Sequence, residues 1–133
     1  MTTDQEPQAT VGRFVQAVIE GRIDDARSLL HDDFVLHEAG GLPYSGEYRG
    51  PQAFFGLFAN MNEQMELTPD PAIQYLLADN TVAIRYRLKF SARASGKSVE
   101  MGLVEIYTVR NGLITELDVY YKDPSAVAAL LAR

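Results

Sequence analysis

Glu105 is the residue of this sequence whose setting most clearly suits chemistry, because it interrupts an apolar row. At the two-residue period of a β-strand, it shares one face of the segment 98–110 with five apolar side chains. These neighbours are Val99, Met101, Leu103, Tyr107 and Val109. A carboxyl group among them must be hydrogen-bonded, neutralised or reached by water, since burying a bare charge is very costly. Burial would raise its pKa and make it a neutral hydrogen-bond donor or a general acid–base. The alternative is a structural acid satisfied by a tyrosine, a backbone amide or an arginine.

Glu38 is the second candidate catalytic carboxylate. It follows Phe34 and Leu36 at strand spacing, so all three are predicted to face inward on a strand that stops at a glycine turn. As a general base it could take an acidic C–H or O–H proton, or orient a water molecule. The alternative is a solvated carboxylate at the rim of a pocket, paired with Arg49. His37 has the opposite strand parity and is predicted to face outward.

Apolar and aromatic side chains at inward positions are the candidates for a ligand-binding wall. They are Phe14, Tyr44, Phe54, Phe58, Tyr86, Leu103, Tyr107, Leu117 and Tyr121. The strand tyrosines among them could donate hydroxyl groups to a ligand, although core tyrosines bonded to the backbone are the commoner arrangement. Tyr44, in the loop before the third helix, is predicted to cover the pocket mouth. Asp118 shares parity with Glu116 and is predicted to face outward unless a bulge turns the strand.

Composition excludes several classes of function. At 133 residues the chain is long enough for one domain, which we place at residues 9–133 after a flexible N-terminus, residues 1–8. A net charge of −6 disfavours nucleic-acid and anionic-membrane partners, and the first residues do not resemble a signal peptide. There are no cysteines, and the two histidines, His31 and His37, form no metal-binding motif. We therefore expect a cytoplasmic protein that binds no membrane, metal or cofactor.

The elements that position these residues can be read from periodicity. Val11, Phe14 and Val18 lie on one stripe of a first helix, and Pro51 suits the start of a third helix. The segment 81–90 alternates cleanly and places a basic row on its outer face: Arg85, Arg87 and Lys89. Asn111–Gly112 is a strong hairpin signal that joins the last two long strands. Helices around one early strand, followed by a meander of antiparallel strands, predict an α+β fold with a curved sheet closing over helices.

Two segments, LPYSGEYRGPQAFF (residues 42–55) and VEIYTVRNGLITELDVYYKDP (residues 104–124), resemble the SnoaL-like branch of the nuclear transport factor 2 (NTF2-like) superfamily, which includes ketosteroid isomerase. The resemblance implies a cone-shaped fold with a hydrophobic pocket at its open end and homodimers formed through the outer sheet face. It also implies that Glu38 matches the catalytic base of ketosteroid isomerase and Glu105 its protonated oxyanion-hole acid. The oxyanion-hole tyrosine of the first helix falls at Phe14, which has no hydroxyl group.

These observations favour a protein that binds a small, largely hydrophobic molecule and uses carboxylate acid–base chemistry of the isomerase, cyclase or dehydratase type. The alternative is a non-catalytic ligand-binding or dimerisation module. For the dimer, Val104, Ile106 and Ile114 lie on the strand parity opposite the pocket rows. A monomer would then expose a connected apolar patch, which predicts a homodimer.

Overall fold

The computed structural model describes residues 6–132. Within this range the elements are α1 (Glu6–Ile19), α2 (Ile23–Ser28), β1 (Leu30–Glu38), β2 (Gly46–Arg49), α3 (Pro51–Gln64), β3 (Met65–Pro69), β4 (Gln74–Ala78), β5 (Thr81–Ala92), β6 (Ser98–Arg110), β7 (Leu113–Tyr121) and α4 (Pro124–Leu131). Helix α1 already includes residues 6–8, which the sequence analysis placed in a flexible N-terminus. Pro7 accounts for this difference, because proline suits a first helical turn and its side chain is buried. Residues 1–5 of that segment lie outside the described range.

All seven strands of the described range belong to one sheet, in the order β2-β1-β7-β6-β5-β3, with β4 also paired to β5. The pairing of β1 with β7 is parallel, and every other pairing is antiparallel. Strands β3 and β4 cover successive stretches of the same edge of β5. Pro69 is the last residue of β3 and Pro71 lies in the gap before β4, which fits the inability of proline to donate to a strand ladder.

Helices α1 and α3 lie against the inner face of this sheet and close the core. Val11 and Phe14 of α1 are buried, as are Phe54, Leu57 and Met61 of α3. Their three- and four-residue spacing puts each set on one helix face, so both helices present an apolar stripe to the strands. The predicted α+β cone, a curved and mainly antiparallel sheet wrapped around N-terminal helices, is confirmed.

The hairpin between β6 and β7 turns at Asn111 and Gly112, which both have positive φ, 52° and 76°. That geometry is what a two-residue Asn-Gly turn requires. Just beyond the turn the register shifts: Val109 pairs with Ile114, whereas Thr108 pairs with Glu116. The extra residue reverses the strand parity, so Ile114 points inward and is fully buried. Its predicted place on the outer face is therefore wrong.

The outer face of the sheet carries an apolar centre between charged flanks. Val104 and Ile106 of β6 are half-buried there. Tyr120, the partner of Val104 on β7, is 52% exposed, and Leu76 of β4, which lies across β5 from Ile106, is 51% exposed. The basic row predicted on β5 is exposed on the same face. None of the helices in residues 6–132 has the length and apolar character needed to cross a membrane.

Candidate functional site

A cavity of about 420 Å³ lies between the inner face of the sheet and helices α1 and α3. Its wall is mostly apolar and aromatic, and it includes both candidate carboxylates, Glu38 and Glu105. Eight of the nine predicted wall residues line it: Phe14, Phe54, Phe58, Tyr86, Leu103, Tyr107, Leu117 and Tyr121. No lysine, arginine or histidine of the described residues lines the cavity. The cavity therefore combines apolar walls with two acids and no basic side chain.

Strand pairing brings the two acids into one row across the sheet. His37 of β1 pairs with Asp118 of β7, and Val119 of β7 pairs with Glu105 of β6. Glu38 and Glu105 are thus both level with Val119, on strands that flank β7. Two strand spacings separate their backbones, roughly 10 Å. Both side chains have inward parity, so both carboxyl groups face the same space.

Glu105 is held by two tyrosine hydroxyl groups. Tyr86 donates to its Oε2 and Tyr107 to its Oε1, each at 2.8 Å. Tyr107 follows two residues later on the same strand face, whereas Tyr86 comes from β5, where its backbone partner is Leu103. Burial raises the pKa of Glu105, and the two tyrosine hydrogen bonds oppose that rise. Both carboxyl oxygens are therefore satisfied inside an apolar wall.

Glu38 lies at the end of β1, and its Oε1 accepts a hydrogen bond from the Ala39 N–H at 2.9 Å. Burial raises its pKa to about 7, and the charge of Glu105 adds to that rise. The Ala39 N–H and the Tyr121 hydroxyl oppose it. The alternative, in which Glu38 pairs with Arg49, does not agree with the structure. Arg49 lies opposite Val35, whose parity is opposite to that of Glu38, and its guanidinium donates to Glu47 at 2.9 Å.

Tyr44 does not line the cavity, contrary to its predicted place at the mouth. It is buried, and its hydroxyl group shares a 2.9 Å hydrogen bond with that of Tyr121, which does line the cavity. The Tyr48 hydroxyl donates to the Tyr44 carbonyl oxygen at 2.7 Å and fixes the loop before α3. This loop contains the short strand β2, which was not predicted from the sequence. Tyr44 therefore supports the wall from behind.

Asp118 and His37 both face the outer side of the sheet. Asp118 accepts a hydrogen bond from the Tyr120 hydroxyl at 2.8 Å. The His37 ring contacts Glu116 at 2.8 Å and Glu47 at 3.4 Å. The outward orientation predicted for both residues agrees with these contacts. Within residues 6–132 no group of three or more His, Asp or Glu side chains is arranged to hold a metal ion.

Other lining residues were not predicted from the sequence. Asn62 of α3 lies four residues after Phe58, so helical spacing was a signal that could have identified it. Leu67, Pro69 and Ile73 also line the cavity and belong to the proline-interrupted segment. Local alternation is interrupted there, so no sequence signal showed which side chains turn inward.

Comparison with known proteins identifies the family to which this chain belongs. The model of the SnoaL-like domain matches residues 11–117, and the chain therefore belongs to the SnoaL-like family. An NTF2-like protein from Burkholderia xenovorans LB400 is similar in structure, with a TM-score of 0.86 and 20% identity over 96% of this chain and 98% of that one. The expected membership of the NTF2-like superfamily is confirmed.

Two further similar structures carry more specific descriptions. A candidate polyketide cyclase from Xanthomonas campestris pv. campestris has a TM-score of 0.85 and 18% identity over 98% of this chain and all of that one. TerC, co-crystallised with polyporic acid, has a TM-score of 0.79 and 16% identity over 95% of this chain and 98% of that one. At these identities the likeness shows the fold alone. No curated protein matches the sequence.

Proposed function

We propose that the protein binds a small, mainly apolar molecule in the cavity and carries out acid–base chemistry on it, with Glu38 as the proton carrier. The observation that supports this most directly is that both glutamates line one apolar cavity, where burial and the neighbouring charge raise the pKa of Glu38 to about 7. A general base works best when its pKa lies near the operating pH. Glu38 is then available in both protonation states near neutrality.

The reaction that this arrangement suits is proton transfer at a carbon next to a carbonyl group. The Glu38 carboxylate takes the proton, the C–H electron pair forms a C=C bond, and the carbonyl π pair moves to the oxygen to give an enolate. Glu38 then returns the proton: to another carbon in an isomerisation, to the alkoxide formed when the enolate carbon attacks a second carbonyl in a cyclisation, or to the leaving hydroxide in a dehydration. The enolate oxygen needs a hydrogen-bond donor. Tyr86 and Tyr107 line the cavity and carry hydroxyl groups, for which the enolate would compete with Glu105. Isomerisation, cyclisation and dehydration can all begin with this abstraction of a proton.

The descriptions of similar structures favour cyclisation among these reactions. One similar protein is a candidate polyketide cyclase. Phe14 argues against the steroid-type arrangement, because α1 supplies no hydroxyl group at that position. We therefore propose a cofactor-independent cyclase or isomerase that acts on compact ring compounds.

Deuterium exchange into 2-tetralone tests this proposal without knowledge of the natural substrate. The ketone is compact and apolar, and loss of its α-proton signal in deuterated buffer reports proton abstraction by NMR. We expect the protein to accelerate exchange by about 100-fold or more, the usual contribution of a positioned general base. Glu38→Gln should abolish the acceleration. Glu66→Gln, at an exposed glutamate of β3 outside the cavity, is the matched control and should keep it.

A non-catalytic ligand-binding module is the second candidate, and one observation favours it. Both oxygens of Glu105 already accept hydrogen bonds from tyrosines of the protein, which is how a purely structural acid is satisfied. If 2-tetralone raises the melting temperature but its exchange rate stays at the buffer value, the protein binds such molecules without this chemistry. That result would refute the enzyme proposal.

A second copy of the chain is the partner that we propose for the outer sheet face. Its apolar centre contains Val104, Ile106, Leu76 and Tyr120, and exposed patches of this kind are typical of interfaces. The flanks have opposite charges: the basic row lies on β5, whereas Glu116 and its neighbour Asp118 lie on β7. A two-fold axis that runs parallel to β6, between the two facing sheets, would place the basic flank of one copy over the acidic flank of the other.

A further inference from the structure

The charges inside the cavity restrict the chemistry of its ligand more closely than its apolar walls do. The cavity holds two carboxyl groups, Glu38 and Glu105, and no lysine, arginine or histidine of the described chain lines it. Any positive charge that offsets these two carboxyl groups must therefore come from the ligand. We propose that the ligand is a compact hydrophobic amine, bound as its ammonium ion. This inference deepens the proposed function and depends on the same cavity.

The wall of the cavity suits a cation in a second way. Three phenylalanines and three tyrosines line it, and these are Phe14, Phe54, Phe58, Tyr86, Tyr107 and Tyr121. Some of these rings pack edge-on, as Phe14 and Tyr107 do at 6.0 Å, whereas Phe54 and Phe58 are stacked at 6.4 Å. Aromatic faces attract an ammonium group, and the attraction grows when the group leaves water. Carboxylates within an aromatic wall are thus complementary to an organic cation.

The two acids also disfavour one another's ionisation, which a bound cation would relieve. The charge of Glu105 raises the pKa of Glu38, so the empty cavity does not readily hold two negative charges. An ammonium ion between the walls interacts favourably with both carboxylates and would lower the pKa of each. An anionic ligand would meet repulsion from both acids without any basic side chain to offset it. A neutral ligand would leave the repulsion unchanged.

The pH dependence of binding follows from the groups that face Glu38. Besides Glu105, they are Tyr44, Tyr48, Tyr86 and Tyr121. The pKa of each tyrosine is raised by burial, so these groups stay neutral at and below neutral pH. Glu38 gains negative charge as the pH rises through about 7. Amine binding should strengthen over the same interval, and near pH 7 it should release protons from Glu38.

Calorimetric titration with three compounds of one skeleton tests the inference: 2-aminotetralin, 2-tetralol and tetralin-2-carboxylic acid. These are cationic, neutral and anionic at about pH 8. We expect the amine to bind about tenfold more tightly than the alcohol, a difference of about 1.4 kcal/mol, and the acid to bind least. Titration in two buffers with different ionisation enthalpies should show proton release with the amine near pH 7. Glu38→Gln should remove the proton release and most of the preference, whereas Glu66→Gln should keep both.

The outcomes separate this inference from the proposed function. If the alcohol binds as tightly as the amine at about pH 8, the inference is wrong and the proposal of an apolar binding cavity remains. If tetralin-2-carboxylic acid binds most tightly, the cavity favours an anion over a cation, and the inference is wrong. If amine binding is unchanged by Glu38→Gln, the amine binds elsewhere and the inference fails. If none of the three compounds binds, both the inference and the cavity's proposed role are refuted.

Discussion

Replacing Glu38 with glutamine should make the protein more stable at alkaline pH, because the native glutamate is costly to ionise in the cavity. Its pKa is about 7 in the folded protein, against the ordinary value of 4.5. Below the ordinary value the carboxyl group is protonated in both the folded and the unfolded chain, so it contributes no penalty. Between 4.5 and 7 the unfolded chain ionises first, so the free energy of unfolding falls as the pH rises.

The size of the effect follows from the same two values. The difference of 2.5 between 7 and 4.5, at 1.36 kcal/mol per pH unit, gives a penalty of up to about 3 kcal/mol above pH 7. Glutamine has the shape of the neutral acid, and its side-chain oxygen can still accept the Ala39 N–H. The variant should therefore match the native protein at about pH 4 and exceed its stability by up to about 3 kcal/mol at about pH 8. That gain is large beside the 5–15 kcal/mol typical of folded domains.

Urea unfolding at the two pH values measures the effect directly. The quantity to compare is the difference in unfolding free energy between variant and native protein at about pH 8, minus the same difference at about pH 4. This double difference removes any constant effect of the amide group on packing. Glu66→Gln should give a double difference within about 0.5 kcal/mol of zero, as exposed substitutions usually do. If the double difference for Glu38→Gln is near zero, Glu38 is a solvated acid with an ordinary pKa, and if the variant loses stability mainly at alkaline pH, Glu38 is an ionised acid that the folded protein stabilises. Either result refutes its proposed role as a proton carrier near neutrality.

Three further predictions follow from the site and the outer face. Glu105→Gln should also gain stability with rising pH, because burial raises the pKa of Glu105; a loss in urea melts at about pH 8 would show an ionised acid well paired with its tyrosines. Tyr121→Phe should lower the free energy of unfolding by about 1–2 kcal/mol, since it leaves the buried Tyr44 hydroxyl without its bond, and an unchanged melt would contradict this. Ile106→Asp should shift sedimentation from dimer to monomer, and a native protein that is monomeric at about micromolar concentration would refute the proposed dimer.

Local patterns predicted much of this fold correctly. The alternation around Glu105 placed that residue inward, and Asn111–Gly112 placed the hairpin, because both signals depend on a few neighbouring residues. Alternation fails wherever an extra residue enters a strand. The shift in β6–β7 register between Thr108 and Val109 places Ile114 in the core instead of on the predicted outer face. No residue type in the segment indicates this shift.

The sequence by itself determined which residue types face inward: two glutamates among apolar and aromatic side chains, on a chain of SnoaL-like type. Only the tertiary structure decided how these residues act on each other. The β5–β6 register places the Tyr86 hydroxyl within hydrogen-bond distance of Glu105. The charge of Glu105 raises the pKa of Glu38, which lies on the other side of β7. Tyr44 was predicted at the pocket mouth but is buried behind the cavity wall, where its hydroxyl group shares a hydrogen bond with that of Tyr121. Periodicity is a local property of the chain, whereas pKa values and hydrogen bonds depend on distances between strands that are far apart in sequence.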